Sequence, residues 1–300
     1  MAADRRSGRR WADFPLAIAM LLPSAVILGV FVVYPLGRAM VLGQQRCDNF
    51  GNNCVSNGLD QYVDLFRSIE FQNALGVTFR FALITVPLGV GAGIGFAVLA
   101  DKYLPRIGSF RTVFSSTVAT SVAVASLIWL VLLQPQIGVL TNILPFSVLK
   151  DPGLLQDPTW ALPALGVVSI WANAGFTFII MTAGLQSIPR DLYESAYVDG
   201  AGGFRRFTNV TVPLLGPTIL FAIVVLTIRA LQTYAEIDIL TGGGPQGDDT
   251  TTVTYLIYGR NSVIAFDNGL QATVAVLLFV IMLIVSLIQF RGLERRVHYG

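Results

Sequence analysis

Residues 269–290 read Gly269-Leu-Gln-Ala-Thr-Val-Ala-Val-Leu-Leu-Phe-Val-Ile-Met-Leu-Ile-Val-Ser-Leu-Ile-Gln-Phe290, a stretch without one charged side chain. A helix rises 1.5 Å per residue, so roughly 20 such residues cross the ~30 Å of bilayer hydrocarbon. The stretch lacks the alternation of apolar and polar residues that a barrel strand shows, which leaves a transmembrane helix. Working outward, the same test finds five more spans: Phe14–Leu36, Gln72–Ala100, Thr112–Leu133, Trp160–Leu185 and Pro213–Ile237. The expected fold is an all-α membrane protein of six transmembrane helices, spanning 14–290, with short segments 1–13 and 291–300 at its ends.

Composition agrees. Hydrophobic residues make up 54% of the 300-residue chain and charged residues 13%, about half the charge of a soluble domain. That excludes a soluble enzyme, a disordered chain and a nucleic-acid binder; the net charge of +2 comes from loop arginines rather than a basic groove. Much chemistry is excluded as well. His298 is the only histidine, and Cys47 and Cys54 are the only cysteines, so no metal-ligand set can be assembled. Lys102 and Lys150, the only lysines, stand in no Walker-type glycine loop, so if ATP powers a process here, another polypeptide must hydrolyse it.

Basic residues set the expected orientation. Arg5, Arg6, Arg9, Arg10, Lys102, Arg106, Arg111, Arg190, Arg205, Arg206, Arg291, Arg295 and Arg296 share one side, against Arg38, Arg46, Arg67, Lys150 and Arg260 on the other. The positive-inside rule then places both termini in the cytoplasm of a plasma or inner membrane. The first apolar run exceeds a signal peptide's core and ends in no small-residue cleavage site, so it is expected to be retained as a helix. Cys47 and Cys54 fall in the first external loop, where a disulfide is expected and two free thiols are the alternative.

Within the spans, Gly89/Gly93 and Gly91/Gly95 form small-xxx-small pairs suited to close helix packing. Pro23, Pro35, Pro87 and Pro163 are expected to kink their helices. Arg80 and Arg229 are costly in hydrocarbon and so are candidates to line a polar pathway, together with Gln232, Thr233, Tyr234 and Glu236 at the external end of the fifth span. Arg80, near the end of its helix, could instead snorkel.

The loop 186–212 carries the functional reading. Asp191 is placed to cap a helix with Glu194 three residues on, residues 192–199 supply about two turns, and Gly200 suits the left-handed position that ends a helix. A second short helix is expected from Phe204 towards Val212, with Pro213 opening the fifth span. Glu194-Ser195-Ala196-Tyr-Val-Asp199-Gly200-Ala201, followed by Phe207 and Pro213-Leu-Leu, resembles the E-A-A-x-x-D-G-A coupling loop of binding-protein-dependent ABC importer permeases; Ser195 replaces an alanine and Val212 a leucine. Gly58-Leu-Asp-Gln-Tyr-Val-Asp-Leu-Phe66 and Thr241-Gly242-Gly243-Gly244-Pro245, the latter followed by Asp249-Thr250-Thr251, resemble external elements of sugar-type permeases. The nearest likeness is to the first permease subunit of glycerol-3-phosphate and glycerophosphodiester importers, carried by Leu185-Gln-Ser-Ile-Pro189, Arg205-Arg206-Phe207 and the tail from Gln289.

That resemblance implies a non-enzymatic permease subunit with no cofactor of its own. ATP and Mg would sit on two partner ATPase subunits docked on the Glu194–Gly200 helix. A second homologous permease would complete the channel, and an external solute-binding protein would face Thr241–Pro245. The implied cargo is glycerol-3-phosphate or a glycerophosphodiester, with neutral di- or oligosaccharides as the alternative. An ion-coupled secondary transporter is a remote reading, since acids deep in the spans are absent and Glu236 lies near a membrane face.

Overall fold

The computed structural model describes residues 14–47, 54–101, 107–143, 151, 153–264 and 267–294. The basic segment 1–13, Lys102, Arg106, Lys150 and the tail beyond 294 lie outside the described residues. Four helices are long and apolar enough to cross a membrane: Ala17–Leu42, Ile69–Ala100, Ala161–Gln186 and Asn268–Gly292. Two bent pairs, Ile107–Ala119 with Val122–Leu132 and Gly203–Leu214 with Gly216–Leu231, bring the number to six if each is one span.

The first span comprises α1 (Phe14–Leu28), a π-turn at Gly29–Val33 and α2 (Tyr34–Leu42). Proline at 35 lacks an N–H and crowds the carbonyl four residues back, and the wider π-turn accommodates both. None of this span's apolar window is buried by the rest of the chain, so its surface is left to lipid or another subunit. An antiparallel ribbon follows, β1 (Gln45–Cys47) with β2 (Cys54–Ser56), in which Cys47 lies directly opposite Cys54. A short helix, α3 (Asp60–Arg67), is tied to the last span by Gln61 Nε2 donating to Thr273 Oγ1 at 2.7 Å.

The core is built on α4 (Ile69–Ala100), capped by Ser68, against α8 (Ala161–Gln186). Phe81, Leu165, Val168, Phe178 and Met181 are buried between them and α12 (Gly216–Leu231). Gly93 is the point of closest approach, since a Cβ there would stand 2.7 Å from the Thr177 Cβ, and one on Gly89 would meet the Leu226 side chain at 3.3 Å. The glycine expectation holds for this pair alone: Cβ atoms on Gly91 and Gly95 would meet nothing within 4 Å. Pro87 and Pro163 lie inside continuous helices, so neither makes a break.

The third and fifth spans break elsewhere. α5 (Ile107–Ser116) and a 3-10 turn, Thr117–Ala119, lead into an extended Thr120-Ser121 step before α6 (Val122–Leu132), with a bend of 107°. The bend packs on Gly175 of α8, where a Cβ would lie 2.8 Å from the Phe114 carbonyl and 2.9 Å from the Val118 amide. Only glycine lets the two backbones come this close. A short α7 (Val139–Ile143) follows in the connection to α8.

The fifth span does not open at Pro213. After α9 (Arg190–Val198) come α10 (Gly203–Arg206), a π-turn at Phe207–Thr211 and α11 (Val212–Leu214), all one arm; the chain then bends 67° and α12 starts at Gly216-Pro217. Nor does it run unbroken to Ile237: α12 ends at Leu231, and Gln232–Tyr234 are irregular before α13 (Ala235–Leu240). Exposed backbone in an apolar setting must find partners, and it does. Thr254 Oγ1 donates to the Leu231 carbonyl at 2.8 Å and Thr252 Oγ1 to the Thr233 carbonyl at 3.0 Å. These threonines open a buried helix, α14 (Val253–Tyr258), which packs with Phe71 and with Val274 of α15 (Asn268–Glu294).

Candidate functional site

The two breaks face each other across one cavity of about 580 Å³, bounded by Thr120 and Ser121, by Ser169, Asn173 and Phe176 near the middle of α8, and by Arg229, Gln232, Thr233, Tyr234 and Glu236. Five of the six expected pathway residues therefore meet in one place. Arg229 is held rather than free. Its Nη1 donates to Asn173 Oδ1 at 2.6 Å, and its guanidinium lies over the Phe176 ring, 4.4 Å from the centroid. Asn173 and Phe176 stand three residues apart on α8, the spacing that puts two side chains on one helix face. A guanidinium has five donors in a planar fork, so most remain for an anion. The Thr233 hydroxyl donates its hydrogen to the Arg229 carbonyl at 3.1 Å, which leaves its oxygen to act as an acceptor.

One expectation is corrected. Arg80 lines a different depression of about 890 Å³ beside Gln72, Asn73, Asp248 and Asp249, so it does not share the Arg229 cavity. Glu236, expected among the pathway residues, is 6% exposed and forms part of the Arg229 cavity wall. The sequence reading missed Asn173, Phe176 and the Thr120-Ser121 step. Asn173 left a signal, an amide side chain in the middle of an apolar span, which usually hydrogen-bonds across helices.

At one end of the molecule the arm 190–214 stands proud. Its first helix starts at Arg190, capped by the Pro189 backbone without a side-chain bond, so Asp191 lies in the first turn and makes no capping box with Glu194. Gly200 has φ +75°, with Gly200 N–H donating to the Tyr197 carbonyl at 3.0 Å and Ala201 N–H to Ala196 at 2.9 Å. This is the paired closure of a helix ending in left-handed glycine. Tyr193 and Thr211 hydroxyls, 3.1 Å apart, pin the helix to the π-turn. Glu194, Ser195, Asp199, Gly200 and Pro213 are exposed, while Ala196, Ala201 and Phe207 are half-buried. Val198 and Phe204, 84% and 82% exposed, put apolar surface at its tip.

At the other end, Thr241–Pro245 forms a folded turn more than a display loop. Gly242, Gly243 and Gly244 all have positive φ, and Gly243 is buried against Tyr255 and Thr251. Thr250 and Thr251 are buried too, bonded to the Thr241 hydroxyl and the Gly243 carbonyl. The exposed tip is Gln246–Asp248.

Broken spans around a polar cavity, with an exposed helical arm at one end, define a multi-pass membrane permease. The chain belongs to the family of binding-protein-dependent transport system inner membrane components, whose model matches residues 89–299. It is 33% identical over 287 residues to the sn-glycerol-3-phosphate transport system permease protein UgpA of Agrobacterium fabrum, covering 95% of this chain and 97% of that one. It is also 33% identical to the sulfoquinovosyl glycerol transport system permease protein SmoG of the same organism, covering 94% and 92%. A solved bacterial ABC transporter involved in import of the acidic polysaccharide alginate has a chain that superposes with a TM-score of 0.80 at 26% identity, covering 96% and 99%. The chain is accordingly an ABC-importer permease.

Proposed function

We propose that this subunit conducts glycerol-3-phosphate or a glycerophosphodiester, delivered by an extracytoplasmic binding protein, into the cytoplasm. The observation that carries the proposal is Arg229, a guanidinium fixed by Asn173 and Phe176 on the wall of the cavity between two broken spans. Neutral sugars offer it no charge to pair with; a phosphate offers bidentate, charge-assisted hydrogen bonds. The relatives' cargo points the same way, a phosphate ester for UgpA and an acidic polysaccharide for the alginate transporter.

In this reading a second permease completes the pathway and two ATPase subunits, carrying ATP and Mg, dock on the Arg190–Gly200 segment. The binding protein sits at the opposite end, over the Gln246–Asp248 tip and the Thr241–Pro245 turn, and both termini are cytoplasmic. ATPase closure favours one rocking state, and the arm transmits that preference to the spans.

Gly200 provides the test. Space around it is open within this chain, so Gly200→Asn, which tolerates positive φ, should retain uptake, whereas Gly200→Leu should leave ATP hydrolysis running with uptake reduced at least tenfold. The measurement is ATP-driven accumulation of labelled glycerol-3-phosphate in proteoliposomes holding the transporter co-purified through a tag on this chain. Uptake without ATP by the chain alone, or wild-type uptake in Gly200→Leu, would overturn the proposal.

A further inference from the structure

Glu236 is left over when the cavity's anion-binding groups are accounted for. It is 6% exposed and lines the cavity, yet it forms no ion pair with Arg229, and among the described residues no other side chain hydrogen-bonds to its carboxylate. Its own backbone N–H donates to it, and a buried carboxylate with so few partners is disfavoured. A wall serving only anions would be better with an amide or a hydroxyl there, because a second negative charge repels the cargo that Arg229 attracts. The two charges therefore give the cavity two poles. One is a fixed donor fork; the other is a pair of acceptor oxygens with about four lone-pair sites, to which, among the described residues, only the residue's own backbone N–H donates.

We propose that Glu236 is a specificity-determining residue that accepts hydrogen bonds from the hydroxyls of the solute while Arg229 holds its phosphate. The inference rests on the phosphate reading above and deepens it. The solute class is an anionic ester whose other end is a polyol; simple anions, and esters of plain alcohols, satisfy one pole and leave the other unpaired. Gln232, exposed on the stretch between the two charged residues, lies where it can serve either end. The discrimination follows from the asymmetry of buried polar groups: a site built to bond a hydroxyl rejects the analogue that lacks it, because its own acceptors are then stranded.

The test uses the assembled transporter in nanodiscs, without the binding protein, so that selectivity belongs to the membrane subunits. Glycerol-3-phosphate is compared with n-propyl phosphate, which has the same charge and carbon count and no hydroxyl, in direct binding measurements on wild type, Glu236→Gln and Arg229→Gln. Wild type should prefer glycerol-3-phosphate by about tenfold or more, as expected for hydrogen bonds to a charged acceptor. In Glu236→Gln the preference should fall below about threefold, with propyl phosphate bound as tightly as before or more tightly, since the isosteric amide removes a repelling charge. Arg229→Gln should weaken both ligands.

Two results overturn the inference alone. Equal weakening of both phosphates in Glu236→Gln makes the residue structural, or the counter-charge of a group on the second permease. An unchanged preference makes it irrelevant to hydroxyls. A different pair of results removes the phosphate reading and the inference with it: no effect of Arg229→Gln on either ligand, or a neutral disaccharide that binds wild type while neither phosphate does.

Discussion

Arg229 depends on two groups from a single face of α8, and its geometry is worth more than its charge. The 2.6 Å bond that Arg229 donates to Asn173 Oδ1 and the Phe176 ring beneath the guanidinium hold the fork facing the cavity. Asn173→Leu keeps the side-chain volume and removes the acceptor. Hydrogen bonds to charged groups contribute about 1.5–3 kcal/mol, so KM for glycerol-3-phosphate uptake should rise about tenfold with the chain still assembled. Arg229→Lys should not restore function, because an ammonium neither stacks nor binds two oxygens at once. An unchanged KM in Asn173→Leu would show that Arg229 is positioned by something else. A charge in an apolar run announces itself, which is why Arg229 was legible in the sequence. Its partner, 56 residues away, was not, since nothing local says which helix face α8 turns toward the fifth span. Arg80 carried the same signal as Arg229 and belongs to another cavity, so charge in a span marks a polar environment without saying which one.

Elements divide into those the chain pattern specifies locally and those specified by contacts. The expected spans Gln72–Ala100, Trp160–Leu185 and Gly269–Phe290 match α4, α8 and α15 to within a few residues, because length and hydropathy alone dictate a helix in hydrocarbon. The breaks at Thr120-Ser121 and Gln232–Tyr234 contain neither proline nor glycine. They exist because Gly175 admits one backbone and Thr252 and Thr254 satisfy the other. Conversely, proline does not by itself end a helix here: Pro87 and Pro163 sit in unbroken helices. The glycine ladder can be tested directly. Gly91→Ala removes backbone entropy from the unfolded chain at an open position and should leave thermal unfolding in detergent unchanged or stabilise by up to about 1 kcal/mol. Gly93→Ala drives a Cβ to 2.7 Å from Thr177 and should destabilise by about 1–3 kcal/mol. Equal effects at the two positions would place the packing face elsewhere. In the ribbon, residues directly opposite on antiparallel strands have Cα atoms about 4.5–5.5 Å apart, inside the range a disulfide spans. Cys47 and Cys54 hold such a register, so alkylation without reductant followed by mass spectrometry should find neither thiol modified. Two alkylated thiols would rule the bond out.

For the whole molecule, the connections sort onto two ends. The ribbon, α3 and the start of α15 meet at one end, where Thr273 Oγ1 donates to the Gly43 carbonyl at 2.9 Å and Gln61 reaches Thr273. At the other, Arg111 Nη2 donates to the Ala100 carbonyl at 2.8 Å, closing α4 against α5, and the arm 190–214 leaves α8. By chain order, the loops that carry most of the basic residues join the spans on the side of this second end, and translocation is opposed by such charges near span ends. It should therefore be cytoplasmic, the side on which an ATPase could reach Gly200. With Cys47 and Cys54 replaced by serine, a cysteine at the exposed tip position Asp248 should react with a membrane-impermeant maleimide in intact cells. An epitope appended after Gly300 should be reached by antibody only once the membrane is opened. The reverse pattern would turn the molecule over, put the Arg190–Gly200 helix outside, and remove the physical basis for driving it with ATP.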